Sequence, residues 1–143
     1  MNVATILKQK GRAVTTVGPT TSLQEITEKL AAKGIGAIVV VGTGGEVVGI
    51  VSERDIVRAL AELGASALST PLSQVMTRKV VTCGEAETVA VIMERMTTGK
   101  FRHVPVLEQD RLVGIVSIGD VVKHRLSEIE HESAALRDYI QKA

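Results

Sequence analysis

The chain is 143 residues long, 45% apolar and 23% charged, with a formal net charge of +1. That balance is globular and excludes an electrostatic attachment to nucleic acid or to a membrane surface. One Phe, one Tyr, no Trp and a single cysteine also exclude base-stacking platforms, an intrachain disulfide and a cysteine-based metal site.

The opening Met1-Asn2-Val3-Ala4-Thr5 carries neither a charged leader nor a long apolar run, and no stretch approaches a membrane span. A soluble, cytoplasmic protein is the reading. The first predicted element is a short extended segment, 14–17. Ser22-Leu23-Gln24-Glu25 then has the form of a capping box and starts a helix with Leu23, Ile26 and Leu30 on one face, stopping near Gly34. Two β-branched runs, Ala37–Val41 and Val47–Val51, flank Gly42-Thr43-Gly44-Gly45 and read as a hairpin. A helix follows from Ser52 to near Gly64.

The series then returns. An extended segment at 80–83 precedes a helix from Thr88 with Val89, Ile92 and Met96 on one face, stopping near Gly99. Strands Val104–Leu107 and Leu112–Val116 flank Glu108-Gln109-Asp110, and a helix follows from Ser117. Val14 maps onto Val80, 66 positions on, and Gly49-Ile50-Val51-Ser52 onto Gly114-Ile115-Val116-Ser117, 65 positions on. The chain is a duplication. A half of about 60 residues buries too little surface alone. The predicted fold class is therefore α/β (α+β): two tandem βαββα repeats related by pseudo-twofold symmetry, sheets packed together and helices outside. Residues 1–68 form the first repeat with its N-terminal segment, 69–126 the second, and 127–143 a C-terminal helical extension.

That extension has no twin. Val122, Leu126, Ile129, Leu136 and Ile140, with Ser133 in the missing place, form a heptad-like seam on a helix predicted over 120–141. Such a helix is about 33 Å long and projects beyond the repeats; it either pairs with another subunit, the homodimer favoured here, or folds back over its own repeats. His124, Glu128 and His131 share its face and read as an exposed charged surface rather than a metal site.

Gly49-Ile50-Val51-Ser52-Glu53-Arg54-Asp55 and Gly114-Ile115-Val116-Ser117-Ile118-Gly119-Asp120 each close a βαββα unit. In tandem they resemble the cystathionine β-synthase (CBS) domain over residues 5 to 125. The resemblance implies a stand-alone pair, or Bateman module, whose clefts between repeats take an adenine nucleotide: AMP first, then ATP, NAD(H) or S-adenosylmethionine. It implies a ligand-sensing regulator of an effector protein whose identity the sequence does not give. With no nucleophile–base set, metal cluster or barrel, the chain reads as no enzyme and needs no catalytic cofactor. The other reading is a structural dimerisation or adaptor domain with empty clefts.

An ionised carboxylate can accept from both ribose hydroxyls, which suits Asp55 and Asp120, while Ser52 and Ser117 at helix N-termini suit a phosphate. Ser-x-x-Asp is equally a capping box, sufficient to start a helix and no more. By the resemblance, Thr16, Thr82 and Cys83 on the extended segments and Ile38, Pro105 and Val116 on the hairpins enclose the adenine. Arg102-His103 stands where the first repeat has Gly36-Ala37, and the resemblance gives such basic residues the phosphate. The expected better site is therefore the second repeat's cleft, around Arg102, His103, Ser117 and Asp120, with Arg54 reaching across to the same phosphate. Cys83 reads as a buried core thiol.

Overall fold

Ser22 and Thr88 open two equivalent helices by the same means. In the computed structural model, which describes residues 1–142, the Ser22 hydroxyl accepts from the Glu25 N–H at 3.3 Å and the Thr88 hydroxyl from the Val91 N–H at 3.2 Å. In chain order the elements are α1 (Val3–Lys10), β1 (Thr16–Val17), α2 (Leu23–Lys33), β2 (Ala37–Val41), β3 (Val47–Ser52), α3 (Glu53–Leu63), α4 (Val89–Gly99), β4 (His103–Glu108), β5 (Arg111–Ser117) and α5 (Ile118–Lys142). Two 3-10 turns, Gly64–Ser69 and Leu72–Gln74, link the halves. This is the predicted α/β duplication with its long final helix. Among the described residues no helix is long and apolar enough to cross a membrane.

β1 runs parallel to β2, which pairs antiparallel with β3, while β4 and β5 form a two-stranded antiparallel sheet. The expected strand at 80–83 is thus not formed: only Cys83 bridges β4, donating to the Pro105 carbonyl at 3.1 Å and accepting from the Leu107 N–H at 2.8 Å. The reason is Pro105. In the first repeat Val39, 66 positions earlier, donates its N–H to the Thr15 carbonyl at 3.2 Å. Proline has no N–H, so the matching ladder is one bond short, and it is tolerated because that side of β4 is a sheet edge.

Two apolar cores form, one per repeat, and each is closed by a segment that precedes the other repeat. Leu23, Ile26 and Leu30 of α2 pack with Ile38, Val40 and Val51, and with Ala67, Leu72 and Met76 from the linking segment. Val89, Ile92 and Met96 of α4 pack with Val104, Val106 and Val116, and with Val3, Ile6 and Leu7 of α1. The N-terminal segment assigned from sequence to the first repeat therefore fills the core of the second. Bridges repeat the exchange: Ser22 pairs with Pro71, and Thr88 with Asn2.

The glycines of the two signatures make room for these visitors. A Cβ on Gly49 would stand 2.5 Å from Met76 Sδ, and one on Gly114 only 2.6 Å from Leu7 Cδ2. The extension predicted over 127–143 is helical through Lys142, and Ala143 lies outside the described residues. His124, expected on an exposed face, is buried with Val121 one turn earlier, because that face of α5 packs against α1 and α4.

Candidate functional site

Each signature ends a strand and begins a helix, so its serine and aspartate meet across the first helical turn. Ser52 donates its N–H (2.8 Å) and hydroxyl (3.2 Å) to Asp55 Oδ2; Ser117 does the same to Asp120 Oδ2 at 2.9 and 3.0 Å. The capping bonds are therefore real in both copies. Asp55 is buried, and its second oxygen accepts from the Thr77 hydroxyl at 3.1 Å. An ionised carboxylate offers about four acceptor positions, so capping does not exhaust Asp55.

A cavity of about 210 Å³ opens beside Asp55. Its first wall is the first repeat's signature, Ser52 to Asp55, continued by Arg58 and Thr77; its second is Lys100 to His103 of the other repeat. Arg54, Arg58, Lys100 and Arg102 thus converge on one space with Glu53 and Asp55, leaving it net cationic at neutral pH. Arg54 spans the gap between repeats, donating to the Lys100 carbonyl at 3.1 Å. Lys100 has φ of 59°, the left-handed region that a side chain disfavours, at the helix stop where the first repeat has Gly34. Strain of this kind collects at working sites.

A second cavity, about 380 Å³, lies on the other side of a partition made by Gly36 and His103, which line both. Its walls carry Ala13 to Thr15 and Gly34 to Ala37 from the first repeat, and Ile115 and Ser117 from the second. Asp120 is not on the wall. Lys10 is, and its ammonium donates to Asp120 Oδ2 at 2.6 Å and to the Ile115 carbonyl at 3.0 Å. Partial burial alone would raise the Asp120 carboxyl, but the Lys10 hydrogen bond and those from Ser117 hold it below the usual aspartate range.

His103 is held below the ordinary imidazole range chiefly by burial; Lys10 and Arg102 push the same way, against Glu53 and Asp120. It is neutral at physiological pH. A Gly36 Cβ would lie 3.2 Å from its ring, so the partition is packed close to its limit.

The predicted site residues are therefore redistributed. Arg102 and His103 face Ser52 and Asp55, with Arg54, rather than sharing a cleft with Asp120; Ser117 lines the second cavity beside His103, its partner in the β4–β5 ladder, and bonds Asp120 within its own helix start. Ile38, Val116, Pro105 and Cys83 are buried in the repeats' interiors and line neither cavity. Burial, with Glu87 nearby, pushes the Cys83 thiol up to about 12. Thr82 is half-buried beside Cys83, away from both walls, and Thr16 sits at the far end by the hairpin tips. Sequence reasoning missed Lys10, Arg58, Thr77 and Lys100. Lys100 alone left a signal, a lysine 66 positions after a helix-stopping glycine.

Comparison with known proteins finds the repeat twice. Residues 11–62 and 72–127 each match the CBS domain. The chain resembles the crystal structure of the CBS-domain containing protein ATU1752 from Agrobacterium tumefaciens, with 51% identity and a TM-score of 0.84 over 87% of this chain and 92% of that one. It resembles the CBS domain pair of protein MJ0100, solved in complex with 5'-methylthioadenosine and S-adenosyl-L-methionine, with 28% identity and a TM-score of 0.79 over 90% of this chain and 98% of that one. A third likeness is to PAE2072 from Pyrobaculum aerophilum, complexed with AMP: 28% identity, TM-score 0.75, 84% of this chain and 89% of that one.

Proposed function

The chain belongs to the CBS-domain family as a tandem pair, and on that premise we propose that it is a regulatory module whose first cavity takes an adenine nucleotide, AMP foremost. One observation carries this reading: a buried, hydrogen-bonded carboxylate, Asp55, shares a cavity with Arg54, Arg58, Lys100 and Arg102. A ribose needs an acceptor for two hydroxyls, and a phosphate needs guanidinium or ammonium donors a few ångströms away; the cavity offers both. That AMP is bound in PAE2072, and 5'-methylthioadenosine and S-adenosyl-L-methionine in MJ0100, supports the ligand class.

The two walls belong to different repeats, so an occupant ties the repeats together. Occupancy then shifts their relative placement by its differential affinity for the two arrangements, and an effector protein reads the shift. No step of chemistry is required of the chain.

Isothermal titration and thermal denaturation with AMP, ADP, ATP, NAD⁺, S-adenosylmethionine and adenosine test the reading. A ligand at 100 times its dissociation constant adds about 2.7 kcal/mol, a shift of several degrees. AMP is expected to stabilise the protein and adenosine to do so less. Silence from the whole panel would favour the adaptor reading, in which the capping boxes only start helices.

A further inference from the structure

Helix α5 leaves the fold behind. Val121 and His124 are its buried residues, and from Ile129 to Lys142 every residue is exposed. Those 14 residues extend about 21 Å without support from their own chain. A free helix of that length is marginal in water. Leu126, Ile129, Leu136 and Ile140 are 46–64% exposed along one stripe, a heptad seam with Ser133 at its middle. Nothing among the described residues covers it.

We propose that the occupant of this stripe is the same stripe of a second copy, in a parallel two-stranded coiled coil over residues 126–142. With Leu126, Ser133 and Ile140 at the a positions and Ile129 and Leu136 at d, the flanking g and e positions are Arg125 and Glu130, then Glu132 and Arg137. In a parallel pair, g faces the e position five residues on in the other copy. Arg125 then meets Glu130 and Glu132 meets Arg137, on both sides of the seam, four opposite-charge pairs and no like-charge one. Of the two antiparallel registers that keep the apolar stripe together, one brings Glu132 against Glu132 of the second copy, and the other sets Glu132 against Tyr139 and keeps only the Glu130–Arg137 pairs. The polar layer selects the same arrangement. In parallel, Ser133 faces Ser133 and the two hydroxyls can bond each other; antiparallel, each faces an Ile129 or Leu136 and stays unpartnered.

The twofold axis would run along the paired helices and set both modules at the same end of the stalk. The test uses the whole protein, whose only native thiol, Cys83, is buried. Light scattering coupled to size exclusion should give twice the 15.2 kDa chain at micromolar concentration. Ser133→Cys and Ile140→Cys, made separately and oxidised mildly, should each yield a covalent dimer on a non-reducing gel, with the parent giving none. A monomer overturns the proposal. So does a dimer that cross-links at residue 133 alone, which is an antiparallel crossing, or at neither, which is a dimer through another face. Both positions are exposed, so the variants keep the fold, and circular dichroism of each confirms it.

Discussion

Lys10 and Asp120, 110 positions apart, are held together with Nζ 2.6 Å from Oδ2. The ammonium thereby takes, in the second cavity, the acceptor that a ribose would need, whereas Asp55 in the first cavity has only Thr77 and Arg58 beside its outward oxygen. The two clefts of a duplicated chain are thus unequal: one presents its carboxylate among four cationic side chains, and in the other a lysine occupies the carboxylate. Wild-type protein should bind one AMP per chain, and Lys10→Met, which keeps the aliphatic stem, should bind a second adenosine ligand. Calorimetric stoichiometry reads this; a value of one in both proteins would show that Lys10 does not gate the second cleft. The half-exposed pair itself should contribute under about 1 kcal/mol to stability.

Asp55→Asn tests the open cleft with little change of shape. Charge-assisted hydrogen bonds are worth about 1.5–3 kcal/mol, so AMP affinity should fall roughly 10- to 150-fold. The amide still accepts from Ser52 through its oxygen, so the thermal midpoint should move only a few degrees. Asp55→Ala removes the cap as well and should cost about 1–2 kcal/mol more of stability. Equal AMP affinity in wild type and Asp55→Asn would take the carboxylate out of the site.

The partition between the clefts makes stability depend on pH. His103 has a folded pKa below its unfolded value of 6.5, so the unfolded chain takes up the proton first as pH falls. The contribution is complete above about pH 6.5 and is lost progressively below it. Asp120, held low, stays ionised through that window. Denaturation midpoints between pH 7.5 and 5.5 should fall more in wild type than in His103→Gln. A phosphate in the first cavity favours the imidazolium, so saturating AMP should reduce the loss. Parallel pH profiles for the two proteins would contradict this.

Gly114→Ala should destabilise by about 1–3 kcal/mol, since the new methyl meets Leu7 at 2.6 and 2.8 Å and Leu7 is buried. Gly49→Ala should be milder, because the nearest atom is Met76 Sδ, in a flexible side chain, although the Thr77 carbonyl at 3.1 Å limits how far it can yield. Urea denaturation ranks the two. In Gly114→Ala the amides of α1 should also exchange faster than those of the linking segment.

Cys83 should be silent toward a chromogenic disulfide at pH 7.5 in the folded protein and react once per chain in denaturant. Its thiol is buried and pushed up to about 12, so almost no thiolate exists to attack. Fast reaction of native protein would show that the second core opens.

The duplication was legible in the sequence because its signals are local. Leu23, Ile26 and Leu30 advertise a helix face wherever the helix ends up, and Gly49 to Asp55 repeats at Gly114 to Asp120 in the same order. The exchange of closing segments was not, since nothing near Leu7 announces that its partner is Gly114. The cleft shows the same limit. Arg102, His103, Ser52 and Asp55 were all picked out as polar residues at element ends, but which signature faces which basic segment is decided by how the repeats dock. Proline's lack of an N–H is plain from the sequence, but its consequence at Pro105, the missing strand at 80–83, required knowing that the side it faces is the Cys83 side.

The exchange also sets an order of events during synthesis. Val3, Ile6 and Leu7 are translated about a hundred residues before the strands that bury them. At about 5–20 residues per second, that leaves an apolar helix face waiting roughly 5–20 seconds, with the first repeat, its linking segment already made, folding in the meantime. The nascent chain passes through a state in which helix α1 waits for its later-made half, and a ribosome paused between residues 77 and 104 would display that face to chaperones.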